Sequence, residues 1–403
     1  MIKHAGIIPL IGGEILASDE VYGVKPEYIL SYSPFSGNEV HLLNHYENKI
    51  PYILLDDENP KIPKEKVDVV SSVCPCAGLS SYHNSAGEDN PNNQWMEKSS
   101  KFILESVKPK VLWGENAPAL AGKVGKFMRE KLHKIGQERG YNFSIYITRS
   151  LEHGGAQYRK RTFYFFWNKD TFNNKIPLLN YYKKERPTIG QVFENAAKYN
   201  FQQEPINPKI PSIDDKYYEY VLEHMNMTHK EFAEHITKTL PVEGYIQYVL
   251  KHTWDKVGEW CDKKGYEKEA AHCGRRVKKL KEKGGGLMLR GTIIPKDYIG
   301  AFVVHYPYNL AHPVEDRYVT YREAMEIMGL PSNFELLNPE KSVNHICQNV
   351  PYYTAKDMAT EVKAIIEGKR QTVSNSFVIQ NNLQNNYAVH DPVEMNSLEN
   401  FLN

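Results

Sequence analysis

Val67-Asp68-Val69-Val70-Ser71-Ser72-Val73-Cys74-Pro75-Cys76-Ala77-Gly78-Leu79-Ser80 runs an apolar segment straight into a loop with a thiol on either side of a proline. The run has the length and valine content of a buried strand, and the Pro, Gly and Ser after it bring it to an end. Pro75 fixes its own φ and biases Cys74 toward extended backbone, so Cys76 projects from a stiff turn. A thiol held this way serves as a nucleophile where nearby cations or helix amides lower its pKa. The residues also fit an inert buried cysteine. A third reading is half of a zinc site with Cys261, His272 and Cys273, although no second close Cys-x-x-Cys spacing accompanies them.

Working outward, further strand candidates are Tyr28–Tyr32, Tyr52–Leu55, Val111–Trp113, Phe143–Ile147 and Arg161–Trp167. Helix-like segments such as Gln94–Ser106 and Ala119–Arg139 lie among them. Strand and helix alternating over residues 1–168 predicts an α/β fold, a doubly wound and mostly parallel sheet. Ligands in such sheets collect where the carboxyl ends of strands open into loops, so the chemistry belongs just after the strands. From about residue 170 the texture changes, with Tyr, Lys, Asn and Pro in excess and clear periodicity only at 216–240 and 245–280. That predicts a second, smaller domain, interrupted by Gly284-Gly285-Gly286.

Two more segments carry chemistry. In Lys108-Pro109-Lys110-Val111-Leu112-Trp113-Gly114-Glu115-Asn116 a short strand delivers a carboxylate to the sheet edge that also receives Cys76. In His153-Gly154-Gly155-Ala156-Gln157-Tyr158-Arg159-Lys160-Arg161 an extended backbone points Gln157, Arg159 and Arg161 to one face. Taken singly, the first is a solvated loop residue and the second an edge strand with a charged outer face. Composition bounds the rest. The 403 residues carry 50 Lys+Arg against 49 Asp+Glu, which excludes a uniformly basic nucleic-acid glove but not a local basic face. No apolar run approaches the ~20 residues of a membrane span. Five cysteines are too few for a disulfide framework in a chain of this length. The chain reads as soluble and intracellular.

Taken in order, these segments resemble the DNA (cytosine-5) methyltransferases. Pro75-Cys76 matches the family's nucleophile loop, with Ser80 trailing. Glu115-Asn116 matches its Glu-Asn after a strand, and Gln157, Arg159 and Arg161 match its Gln-x-Arg-x-Arg. Arg317-Tyr318-Val319-Thr320-Tyr321-Arg322-Glu323-Ala324 is similar to its Arg-x-x-Thr-x-Arg-Glu-Ala helix, and Gln348-Asn349-Val350-Pro351 to its closing motif. The chain departs from the family at Ala77, Ala117 and Cys347-Gln348. It departs again in the donor loop, where Phe-x-Gly-x-Gly-Gly is echoed only by residues 5–13.

The resemblance implies a Rossmann-like catalytic domain over 1–170 and 317–368 and a DNA target-recognition domain over 171–316, while the Asn- and Gln-rich composition of 369–403 reads as a loosely ordered polar tail. It implies methyl transfer from S-adenosyl-L-methionine to C5 of a flipped-out cytosine in double-stranded DNA. Cys76, Glu115, Arg159 and Arg161 would be catalytic. Gly6, Ile7, Gly12, Gly13, Ser33, Asp56, Asp57, Pro75 and Asn349 would bind the donor, with Glu39 a substitute for the acid missing near Ser33. Ser80, Asn116, Gln157, Arg275, Arg276, Lys278 and Lys279 would bind substrate; the basic run fits a solvated helix face equally well. No metal and no membrane are implied, and the protein would act as a monomer in the cytoplasm of a bacterial or phage-infected cell. Two alternatives use the same residues: a modified adenosylmethionine donor or an RNA acceptor, and a non-catalytic DNA-binding protein on the same scaffold.

Overall fold

The structure is a computed structural model that describes residues 1–56, 61–79, 87–239, 253–283, 291–303 and 306–389. Asp57, Ser80 and the triple glycine lie outside the described residues. The strands are β1 (His4–Ile7), β2 (Ile29–Tyr32), β3 (Tyr52–Leu55), β4 (Val69–Ser72), β5 (Val111–Asn116), β6 (Tyr141–Arg149), β7 (Lys160–Asn168), β8 (Ile176–Pro177), β9 (Thr372–Val373), β10 (Phe377–Asn381) and β11 (Asn386–Val389). All but β8 and β9, which pair with each other, join one sheet in the order β11-β10-β6-β7-β5-β4-β1-β2-β3. Helices α1 (Gly13–Tyr22), α2 (Val40–His45), α3 (Asn93–Phe102) and α4 (Lys126–Glu138) follow β1, β2, β4 and β5. This is the α/β sheet that the alternation predicts.

The sheet is parallel from β3 through β5, so the ends of β1, β2, β4 and β5 open on one edge. The exception matters most. β7 runs antiparallel to β5, with Glu115 opposite Phe163 and Asn116 opposite Thr162. Its beginning therefore lies where β5 ends, and a segment far along the chain is returned to the same edge. Packing fixes this arrangement: Phe163, Tyr164, Phe165, Phe166 and Trp167 are all fully buried, and Trp113 lies against Phe163 and Phe165.

Residues 369–389 correct the expectation of a loose tail. β10 pairs in parallel with β6 from Phe377↔Phe143 to Asn381↔Ile147. Phe377, Val378 and Ile379 have no exposure. The polar residues there are bonded, not solvated. Gln380 donates to and accepts from the backbone of Leu179, at 2.9 and 2.8 Å. The side chain of Asn382 accepts from Tyr182 N–H and donates to Thr148 Oγ1, at 2.6 and 3.0 Å. Burying three large apolar side chains contributes about 1.5–3 kcal/mol each, a large share of the ~5–15 kcal/mol that holds a domain together. A chain ended after Gly368 is expected to lose the cooperative thermal transition of this unit; a dispensable tail would leave the melting temperature unchanged.

Contacts divide the chain into two units. One holds Met1–Arg186, Met328–Leu337 and Gln348–Asn403; the other holds Pro187–Ile327 and Asn338–Cys347. The second is mainly helical, with a core that includes Tyr218, Val221, Phe232, Trp254, Val257 and Cys261. The Arg-x-x-Thr-x-Arg-Glu-Ala segment falls in it and has a structural reason. Thr320 and Glu323 form a reciprocal capping box, at 3.1 and 2.8 Å, for the helix Tyr321–Ile327. Arg317 grips the same carboxylate through both of its terminal nitrogens.

Candidate active site

The loop after β4 separates its two cysteines. Cys74 is buried, with its Sγ 3.2 Å from Ser72 Oγ. Beyond Pro75, Cys76 reaches the surface, and its carbonyl accepts from Leu79 N–H at 3.0 Å to close a short turn. Asn116 ties this loop to β5. Its Nδ2 donates to the Cys74 carbonyl at 3.3 Å, and its Oδ1 accepts from Ala117 N–H at 2.8 Å. Asn116 has no exposure, and these two bonds hold the loop against the end of β5.

At the end of β5, Glu115 is met by Arg161, whose Nε lies 2.5 Å from Oε1. Residues directly opposite in an antiparallel pair share a face, and Arg161 is two positions before Phe163, so the sheet itself brings the two charges together. The segment of Gln157, Arg159 and Arg161 is not extended throughout. The backbone turns sharply at Gln157, where Arg159 N–H reaches the Gln157 carbonyl at 3.0 Å. Arg159 then donates from Nη2 to the Asn349 carbonyl at 3.2 Å. Gln157 is fully buried, with Nε2 3.0 Å from the sulfur of Met328. In the free protein it packs inside the loop.

Charges surround the thiol of Cys76. Desolvation pushes it above its ordinary value; Arg161 pulls it back, Glu115 pushes it up, and Arg159 adds a smaller downward pull. Both arginines pull the thiol down, and Arg161 has the larger influence. The net direction is upward, so little thiolate forms at neutral pH in the free protein. Alkylation of Cys76 by iodoacetamide should rise about tenfold per pH unit from 7 to 9 without levelling off. Peptide mapping at each pH checks this, and Arg161→Ala should slow the reaction more than Arg159→Ala.

The donor loop follows β1. Gly6 and Ile7 belong to that strand and to the core, with Gly6 packed so tightly on Ile15 that a Cβ would come within 2.4 Å of Cδ1; they are not loop residues as expected. Ile8 and Leu10 hold φ of 52° and 55°, a left-handed conformation that costs a side-chain-bearing residue on the order of 1–3 kcal/mol. Leu10 stands two residues before Gly12, where the Phe-x-Gly-x-Gly-Gly pattern has a glycine. Gly12 has φ 81° and faces Leu42, and a Cβ on Gly13 would strike the Val350 carbonyl at 2.4 Å. Gly13 N–H donates to Asn349 Oδ1 at 2.8 Å, while Asn349 Nδ2 is buried with no hydrogen-bond partner. The amide that reaches the double glycine is therefore that of Asn349, whereas Gln348 is exposed.

Ser33 is exposed and has no acid beside it in sequence, but Glu39 returns to this strand end. Its carboxylate accepts from Ser31 Oγ at 2.6 Å and Tyr52 OH at 3.1 Å, and burial pushes it up. Asp56 is exposed at the end of β3, and Pro75 is half-buried. Sequence reasoning missed Glu14. An acidic residue in a first helical turn ordinarily reads as a solvated partner of the helix dipole, yet Glu14 has no exposure and both its oxygens lack a hydrogen-bond partner on another residue. Unsatisfied polar groups of both kinds, next to a strained loop and a helix N-terminus, can hold a polar and positively charged small molecule.

Residues 39–364 match the family described as C-5 cytosine-specific DNA methylase. The chain belongs to that family. The chain is 26% identical over 132 residues to the type II methyltransferase M.FnuDI of Fusobacterium nucleatum, a match that covers 33% of this chain and 38% of that protein. The chain thus spans under half the length of the curated relative that it matches. Among solved structures it is similar to the Entamoeba histolytica methyltransferase EhMeth, with a TM-score of 0.51, 12% identity and 91% of this chain against 98% of that one. A Spodoptera frugiperda DNMT2 variant aligns at a TM-score of 0.49 and 12% identity, over 91% of this chain and 100% of the other.

In the second unit, Arg275, Arg276, Lys278 and Lys279 lie on the helix Glu267–Lys283. Arg275, Lys278 and Lys279 are exposed. Arg276 is half-buried, and its Nε donates to His272 Nε2 at 3.3 Å. Among the described residues no group of three or more His, Cys, Asp or Glu side chains gathers in a way that could hold a metal ion. No described helix is long and apolar enough to cross a membrane.

Proposed function

We propose that this methylase transfers a methyl group from S-adenosylmethionine to C5 of cytosine in double-stranded DNA, through a covalent bond to Cys76. The observation that carries the reading is the single electrostatic environment shared by Cys76, Glu115, Arg161 and Arg159, brought from three distant segments to one sheet edge. C5 of cytosine is a poor nucleophile. Addition of the Cys76 thiolate to C6 makes C5 enamine-like, and Glu115 offsets the charge that develops at N3 by hydrogen bonding or protonation. Arg161 holds Glu115 and, with Arg159, favours the thiolate once the base shields the site from water. When bound, the donor supplies an electrophilic methyl to C5. Loss of the C5 proton to solvent and cleavage of the C6–S bond then restore the aromatic ring and the free thiolate.

The ring carbon is out of reach in a duplex, so the base must leave the stack at a cost of a few kcal/mol. Gly12, Gly13 and Asn349 are the residues proposed to hold the donor, with Glu39 near its ribose and Asp56 near its adenine. The exposed Arg275, Lys278 and Lys279 suit phosphate binding, which makes affinity strongly salt-dependent. The enzyme would act in the cytoplasm. Incubation with duplex DNA and S-adenosylmethionine, followed by mass spectrometry of the nucleosides, should yield 5-methylcytosine. Methylation of RNA cytosine and not of DNA would overturn the acceptor assignment.

A further inference from the structure

Glu14 has no place in the reaction outlined above, and its setting demands one. It lies in the first turn of α1, directly after the double glycine, with no exposure. Neither carboxylate oxygen has a hydrogen-bond partner on another residue, and only the backbone N–H of Glu14 itself favours its charge. The titratable groups whose charge couples to it are Glu115, at the end of β5, and Tyr46, after α2. Both are negative when ionised, and no lysine or arginine among the described residues offsets the carboxylate. An unpaired carboxylate in such a place is expensive, and burial pushes Glu14 well above the usual carboxylate range, toward the neutral acid. The cost makes sense only if something positive arrives.

We infer that Glu14 is the counter-ion for the sulfonium centre of the methyl donor, so that the site selects the charged donor over its neutral spent form. The inference rests on the proposed S-adenosylmethionine reading. Two observations favour the sulfonium over the donor's ammonium group. A sulfonium has no N–H to donate, so it suits oxygens that offer charge and are bonded by no other residue. Glu14 is also coupled to Glu115, the carboxylate proposed to face the base, and the methyl must pass between donor and base. Once the methyl has left, the sulfur is neutral and the attraction ends. Glu14 can then take up a proton again, which weakens the hold on the product. Its role is thus donor selection and product release, not acceleration of the transfer itself.

Calorimetry on the full-length protein tests this without relying on activity. Titration with S-adenosylmethionine, and separately with S-adenosylhomocysteine, is repeated in two buffers of different ionisation enthalpy. Wild type should release protons on binding the sulfonium compound and not on binding the thioether. In Glu14→Gln, affinity for S-adenosylmethionine should fall by about tenfold while that for S-adenosylhomocysteine changes less than about twofold, and the proton release should vanish. Parallel losses for both ligands, or equal proton release with both in wild type, overturn the counter-ion role. Wild type that binds neither ligand overturns the donor reading itself, and this inference with it. If Glu14→Gln does not fold, the proton release of wild type decides alone.

Discussion

Cys76→Ala is expected to abolish the covalent complex that wild type forms with duplex DNA carrying 5-fluorocytosine. Methyl transfer should fall by at least about 10⁴-fold, the scale seen when a nucleophile is removed. Fluorine at C5 cannot leave as a proton does, so the adduct to C6 persists and survives denaturing electrophoresis. Cys76 is exposed, so its truncation leaves the core intact and the loss can be read as chemistry. Cys74→Ala is the control. That thiol is buried against Ser72, and burial pushes it up, so the adduct should form at the wild-type level. An adduct of undiminished yield in Cys76→Ala would remove the proposed mechanism.

Glu115→Gln should move two measurements in opposite directions. The Glu115 charge pushes the Cys76 thiol up, so its removal lowers the thiol pKa and speeds alkylation by iodoacetamide at neutral pH. Methyl transfer should nonetheless slow by about 10²–10⁴-fold, the usual contribution of a positioned acid. The two signs separate a group that acts on the base from one that only tunes the thiol. Arg161→Ala gives the complement, since it removes the largest downward influence on the thiol and leaves Glu115 buried without its partner, at a cost of about 3–5 kcal/mol. Faster methyl transfer in Glu115→Gln, in step with faster alkylation, would show that the carboxyl does no work on the ring.

Most of the sheet was legible because its strands are short apolar runs that end in turn residues. The prediction of β2 through β7 rests on local pattern alone, and each lies where that pattern is. The loops bearing Cys76 and Glu115 follow from the same signal, since the carboxyl end of a parallel strand is fixed once the strand is. β1 was harder to see, because its four residues include a histidine and a glycine. β10 was hidden by composition. Its flanks are rich in Asn and Gln, which read as loop, and the groups that satisfy Gln380 and Asn382 lie 200 or more residues away.

The sequence by itself determined the α/β class, the edge on which chemistry sits and the residue types that could perform it. Tertiary structure decided which thiol reaches solvent, which guanidinium holds Glu115, and that Asn116 and Gln157 are supports buried in the loops. It also decided that Glu14 is sealed away without a partner. The physical reason is one of range. Strand and turn preferences act over a few neighbouring residues, whereas burial and charge environment depend on groups brought together from distant parts of the chain.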